Sequence, residues 1–323
     1  MPTGTKTHGL LPRDVVVAMA STADKAIDNV LLVGSHAMLS PPRNEAGFIA
    51  AVTLGGIKEI AKAWRPLCDG LSLTLDLSGV FCHAAPLVKF TDAKRRLWRC
   101  ELADLLIVVD FGSTGSFIRR AALVQAKMAR AAERVSLSGT STQVQLNLYQ
   151  NWHKFDFEEA VYGMSQVDFT KGRGGISDSG TIGVIDRHLK TQPVWTQHAA
   201  SPAPAIILNQ PRLGEFIAEM VDGTRSGFGR LATPKLQTDW SKVVERLLEV
   251  TYGRAFHHKP TLGPTGAPRG VHAVACLSFR PGAGLMSAIW GGSMKGPPYD
   301  FETREDDGQP SGISVVHICI GPI

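Results

Sequence analysis

The sequence predicts an α/β protein, a sheet covered on both faces by helices, and three observations carry that prediction. Two apolar runs, residues 98–111 and 121–128, are joined by a Gly/Ser-rich turn and read as neighbouring strands. Strands this apolar need cover on both faces. Leu71, Leu73, Leu75 and Leu77 alternate strictly with other residues, the mark of a strand with one buried face. Before them, Phe48, Ile49, Val52, Ile57, Ile60 and Ala61 recur at roughly helical spacing.

Taken in order, residues 1–13 form a loose arm, and the apolar runs 15–20 and 29–33 are too short to type. The first typed element is a helix over 44–64. Asn44 serves as its N-cap, Glu45 sits in its first turn, and Pro66 closes it. Gly55 and Gly56 each cost up to about 1 kcal/mol relative to alanine there, which close packing against a sheet would explain. The strand over 71–77 places Asp76 opposite its leucines. A basic run, Lys94-Arg95-Arg96 with Arg99, leads into the first apolar strand, which carries Asp104. Arg119-Arg120 opens the second, and Arg130 and Arg134 follow it. Within the second strand, Leu123, Gln125 and Lys127 share one face.

Beyond this pair comes a short helix, then an aromatic segment, 145–157, whose Trp152 and Phe155 are expected in the core. The loop 171–175, KGRGG, lacks the GK[ST] ending of a phosphate-cradling loop and reads as a surface or DNA-facing loop. Short strands over 181–185 and 194–197 precede a Pro-rich break at 201–204. Two amphipathic helices follow, 213–221 and 239–252, the second presenting Val243, Val244, Leu247 and Leu248 on one face. A Gly/Pro-rich linker, 259–269, leads to strands over 270–279, 285–290 and 314–320. The organisation expected is an N-terminal arm with first elements (1–40), a core (41–157) and an additional α+β C-terminal region (158–323) whose role the residues do not disclose.

The chain has 323 residues, enough for a sizeable core, and 44% of them are hydrophobic. Its formal charge of +5 is compatible with a polyanionic partner without requiring one. Five scattered cysteines form no CxxC pair, so neither a zinc knuckle nor a disulfide framework is indicated, and His257-His258 lacks metal-ligand spacing. No GxSxG element supports a serine triad. No apolar run is long enough for a membrane span and the N-terminus lacks a signal-peptide core, so a cytoplasmic protein is expected.

Asp104, followed after a hairpin by Gln125-Ala126-Lys127, resembles the PD-(D/E)XK nuclease superfamily of restriction-endonuclease-like folds, in the branch whose last motif reads QxK. The flanking text, ADLLIVV and ALVQAK, is of the same kind. The resemblance covers residues 99–130 closely and 40–157 loosely. It implies a restriction-endonuclease-like core, a mixed central sheet flanked by helices. It also implies a Mg²⁺-dependent endonuclease that hydrolyses DNA phosphodiesters, with Mn²⁺ able to substitute, in bacterial restriction or anti-phage defence.

Carried over by position, Asp104 is the central metal ligand and Gln125 offers its side-chain oxygen where most of the superfamily has a carboxylate. Lys127 contacts the scissile phosphate or the attacking water. The glutamine leaves the site short of a carboxylate. Glu45 is the expected second acid, because nucleases of this class often take one from the helix before the sheet. Its other reading is an acid complementing the helix dipole. Glu101 lies three residues from Asp104, which on a regular strand puts it on the opposite face, and it would need a bulge to contribute. For Asp104 with Lys127 the other reading is a buried ion pair. His83 is a minor candidate for the same cleft. Arg95, Arg96, Arg99, Arg119, Arg120 and Arg130 are read together as a phosphate-contacting rim, although any one of them alone reads first as solvating a loop or strand end. DNA is the expected partner; a protein or small-molecule activator and a homo-oligomer remain open. The alternatives are a nuclease-fold DNA-binding module that has lost turnover, which Gln125 permits, and a regulatory or structural subunit of a defence complex.

Overall fold

The computed structural model describes residues 10–33, 42–82, 86–113, 116–129, 139–172, 175–187, 194–200, 210–257, 271–279, 285–291 and 312–322. Twelve strands and six α-helices are assigned among them. In chain order they are α1 (Arg13–Val33), α2 (Glu45–Ala50), a π-helical turn (Ala51–Gly56), α3 (Ile57–Asp69), β1 (Leu73–Cys82), β2 (Leu87–Thr91), β3 (Leu97–Glu101), β4 (Leu105–Ser113) and β5 (Ser116–Met128). There follow α4 (Thr140–Asn151), β6 (Phe155–Phe157), β7 (Gly180–Asp186), β8 (Val194–Ala199), α5 (Leu213–Asp222), β9 (Arg230–Leu231), α6 (Asp239–His257), β10 (Val271–Phe279), β11 (Leu285–Gly291) and β12 (Ser314–Pro322). No helix among the described residues is long and apolar enough to cross a membrane.

The central sheet runs β11-β10-β1-β12-β4-β5-β7-β8, with β9 added to β5. It is mixed: β12–β4 and β5–β7 are parallel pairs, while β1–β12, β4–β5 and β7–β8 are antiparallel. The double-sided cover inferred from the apolar runs is present. Leu105, Ile107 and Val109 of β4 pack with α1, α3 and α5, while Leu106 and Val108 pack with α4 and α6. Trp152 and Phe155 are buried in the second of these layers.

Several elements differ from the sequence expectation. The two untyped runs at 15–20 and 29–33 belong to one 21-residue helix, α1, whose Val16, Met19, Ala23, Ile27, Val30 and Leu31 are buried. The helix expected over 44–64 is three pieces: α2, the π-helical turn and α3. Pro66 does not end it. The helix continues to Asp69 because Trp64 and Cys68 are buried on either side of the proline, the Trp64 indole donating to the Met19 carbonyl at 2.9 Å. Gly55 and Gly56 fall in the π-helical turn, and the tight approach to the sheet is made by Gly79 of β1. A Cβ there would stand 1.8 Å from the Thr53 carbonyl oxygen.

The run read as one strand over 98–111 is two. β3 pairs with β2 in a small separate sheet, β3-β2-β6, and the chain turns at 102–104 before entering β4. The boundary expected at residue 157 falls inside the central sheet, since β12 lies between β1 and β4. Its Val316, Ile318 and Ile320 face one core layer and Val315 the other. A strand apolar on both faces is buried fully only in the interior of a sheet.

Candidate functional site

The site begins with the β4–β5 hairpin. Leu105 pairs with Val124 in an antiparallel register that continues to Ser113 and Ser116. Gly112 pairs with Phe117, and the position requires glycine, with φ +133° and a neighbouring Ser116 carbonyl that would stand 2.5 Å from any Cβ. At the other end, Asp104 precedes β4 and extends the ladder by one step, its N–H donating to the Val124 carbonyl at 3.0 Å. This places its side chain beside Gln125. Asp104 Oδ2 accepts the Ala126 N–H at 2.7 Å and a bond from Gln125 Nε2.

Lys127, two residues on, lies on the same face as Gln125 by strand alternation. Its ammonium is 3.8 Å from Glu45 Oε2, with side chains 17% and 39% exposed respectively. Glu45 opens α2, which Asn44 caps by accepting the Gly47 N–H at 2.8 Å. Its other oxygen accepts the Met128 N–H at 3.1 Å, tying the helix start to the end of β5. The four residues singled out in the sequence, Asp104, Gln125, Lys127 and Glu45, therefore stand together.

Glu101 joins them. Because the chain turns at 102–104, the alternation that would send Glu101 to the opposite face does not apply. Its carboxyl is raised above its ordinary range by burial and by Glu45, against the pull of Lys127. Asp104 keeps some accessible surface, yet the protein around it desolvates its carboxylate and pushes its pKa up to about 7. Lys127 and the Ala126 N–H oppose the shift, while Glu101 and Glu45 reinforce it. Tyr149 of α4 was invisible as a site neighbour in the sequence. Its hydroxyl donates to the Leu102 carbonyl at 2.8 Å and so braces the turn that brings Glu101 round.

The donor set suits a hard divalent cation. It consists of oxygen atoms beside one ammonium. Gln125 is 1% exposed, and its Oε1 is a buried oxygen with no hydrogen-bond partner among the described residues. A buried unpaired carbonyl next to a carboxylate that resists ionisation is what a cation would satisfy. The acids do not close into an all-protein cage. Among the described residues the trio of His, Cys or acid ligand atoms lying within 4.8 Å of one another is elsewhere, at Asp110, His317 and Cys319. A cation here would keep several waters, as magnesium commonly does.

Two arginines of the expected basic rim are structural. Arg119 is buried and forks onto Asp110 at 2.7 and 2.6 Å, with a further bond to Glu245. Arg120 donates to the carbonyls of Gly229, at 3.2 Å, and Gly223, at 2.6 Å. Guanidiniums committed in this way inside the protein are not open to a phosphate, so these two leave the rim. Arg95, Arg96 and Arg99 lie on the exposed turn and strand of the small sheet, where Arg96 pairs with Asp92 at 2.8 Å and Arg99 with Glu158 at 2.5 Å. Arg130, Arg134 and His83 lie outside the described residues, as do Arg173 and Gly174 of the Gly-rich loop, whose Lys171 stands 3.6 Å from Asp168. Two cavities of ≈ 270 and ≈ 380 Å³ lie away from Asp104, along α4 with β3 and along α6. Compared with family models, with characterised proteins and with solved structures, the chain matches none.

Proposed function

We propose that this chain is a metal-dependent endonuclease with a restriction-endonuclease-like core, cleaving DNA phosphodiesters at the site formed by Asp104, Gln125, Lys127 and Glu45. The observation that supports it best is the conjunction at Asp104. A carboxyl held at about 7 lies beside a buried amide oxygen without a partner and within the field of an ammonium group and two further acids. Asp104 and Gln125 would hold a divalent ion such as Mg²⁺, with Mn²⁺ as a substitute, and Glu45 and Glu101 would add negative charge around it. Bound there, the ion would neutralise phosphoryl charge and lower the pKa of an attacking water. Lys127 supplies a compact positive charge at the phosphate or the water, and Glu45 holds that charge in position. Arg95, Arg96 and Arg99, whose side chains are exposed, would track the backbone.

A second reading, a DNA-binding module without turnover, draws support from the neutral Gln125 and from an Asp104 that is half protonated near neutrality. A plasmid-nicking assay with Mg²⁺ and with Mn²⁺ separates the two. Wild type should nick and relax the plasmid, whereas Lys127→Ala and Lys127→Arg, both folded, should lose cleavage by at least roughly a hundredfold. Undiminished cleavage by Lys127→Ala would remove the lysine from the mechanism. Salt-dependent DNA binding without cleavage in either metal would favour the module, and absence of both activities the regulatory subunit.

A further inference from the structure

We infer that Asp110, His317 and Cys319 form a second metal site, distinct from the nuclease-like one, that takes a zinc-class divalent ion. The site follows from register. His317 and Cys319 are two apart on β12 and so share a face. Asp110 of β4 pairs with Cys319 from one side, and Asp76 of β1 pairs with it from the other. Three different donor atoms converge there. His317 Nε2 lies 3.0 Å from Asp110 Oδ2 and 3.4 Å from Cys319 Sγ, and Cys319 Sγ lies 4.0 Å from Asp110 Oδ2. Ligands bound to one zinc ion at tetrahedral angles are separated by roughly 3.3–3.6 Å, so the three atoms already outline one face of such a tetrahedron.

The outer contacts fit as well. A metal-bound imidazole is usually oriented through its second nitrogen. His317 Nδ1 is 3.0 Å from the Tyr252 hydroxyl, which is itself 2.6 Å from Ser78 Oγ. Asp110 is fixed by the Arg119 fork, one bond to each carboxylate oxygen. Each oxygen has a second lone pair, so the Oδ2 atom that faces His317 can still accept a metal. The guanidinium's charge is offset by Glu245, and Asp76 stands beside Cys319 in register, so carboxylates outnumber the guanidinium around the three donors. Imidazole and thiolate donors select zinc-like ions over magnesium, which separates this site chemically from the oxygen-only set at Asp104. On binding, Cys319 gives its thiol proton to solvent and the sulfur lone pair goes to the ion. The consequence for the fold is a staple from the last strand, β12, to β4, with a fourth coordination position left for water.

The competing account is a metal-free polar network in which His317 bonds Asp110 and Cys319 packs as a neutral thiol. Cobalt(II) discriminates between them. The full-length protein, stripped with chelator, would be titrated with Co²⁺ and its near-UV and visible spectrum recorded, with Zn²⁺ then added in competition. The expected result is one equivalent of Co²⁺ giving tetrahedral d–d bands with a thiolate charge-transfer band, displaced by Zn²⁺ and not by Mg²⁺. Zn²⁺ should also raise the Tm. Cys319→Ser and His317→Ala should abolish the charge-transfer band, and Tyr252→Phe should weaken binding roughly tenfold. Asp104→Asn and Lys127→Ala should leave it intact, so the result is independent of the nuclease proposal. Absence of the band in folded wild type, or its persistence in Cys319→Ser as an adventitious ion on another cysteine, overturns the site. If His317→Ala fails to fold, Cys319→Ser carries the test alone.

Discussion

A carboxyl held at about 7 changes its protonation near neutral pH, and the thermodynamic sign of that change can be measured. Asp104 in the folded state keeps its proton to about 7, whereas its ordinary value is 3.8. Between those values the folded state binds more protons than the unfolded one, so stability falls as pH rises. In chelated buffer Asp104→Asn should match wild type near pH 4 and exceed it above pH 7, by a ceiling of roughly 4 kcal/mol. Mg²⁺ should narrow the gap by stabilising wild type alone. Denaturant melts over that pH range check this, and a pH-independent difference would mean that Asp104 is not desolvated as described. The neighbouring acids make a second test. Because Glu45 and Glu101 both act on Asp104 or its lysine, Glu45→Gln and Glu101→Gln should each raise the Mg²⁺ concentration needed for cleavage, by roughly tenfold. Gln125→Glu should lower it, by restoring a charge at the cation. If only one glutamate matters, the other serves the fold.

Among the elements, those with a single dominant pattern were legible in the residues. The leucine alternation marks β1, Asn44 marks the start of α2, and the doubly apolar runs mark β4 and β5. Where the signal is divided, tertiary contacts decided. α1 has a threonine, three aspartates and a lysine along its length, and it is held as a helix by packing on α3 and α5. The turn at 102–104 carries no Gly or Pro to announce it; its brace, Tyr149, comes from α4. For the same reason Glu101 looked misplaced from sequence, while Asp104, Gln125 and Lys127 were readable from a hairpin and a two-residue spacing. The His317-x-Cys319 pair had a legible signal, two ligands on one strand face, but Asp110 is distant in the chain and only strand order reveals it. The arginines show the limit of reading charge from sequence. Arg119→Met should destabilise the protein by roughly 3–5 kcal/mol, because it removes the guanidinium paired with the buried Asp110 carboxylate. It should not change the salt dependence of DNA binding, whereas neutralising Arg95 or Arg96 should lower that slope by about one each. A reduced slope in Arg119→Met, measured where it remains folded, would return Arg119 to the rim.

For the molecule as a whole, strand order determines what can be removed. β12 lies in the middle of the central sheet, parallel to β4 and antiparallel to β1, although it is drawn from the end of the chain. Its Val315, Val316, Ile318 and Ile320 belong to both core layers, so its loss would expose apolar surface above and below and leave two strand edges unpaired. At 1.5–3 kcal/mol for each large side chain buried, the contribution of these four is comparable to the whole net stability of a domain. A chain ending before Ser314 should therefore show no cooperative thermal transition and should bind a dye that reports exposed apolar surface. One confined to 41–157, which lacks β7 and β8 as well as β12, should fail in the same way. The intact chain should melt in one transition seen alike by far-UV circular dichroism and tryptophan fluorescence, since Trp64 and Trp195 report one layer and Trp152 and Trp240 the other. Two separated transitions, or a folded 41–157 fragment with Mg²⁺-dependent nicking, would show that the nuclease-like part stands alone and that the C-terminal strands were added to a core already complete.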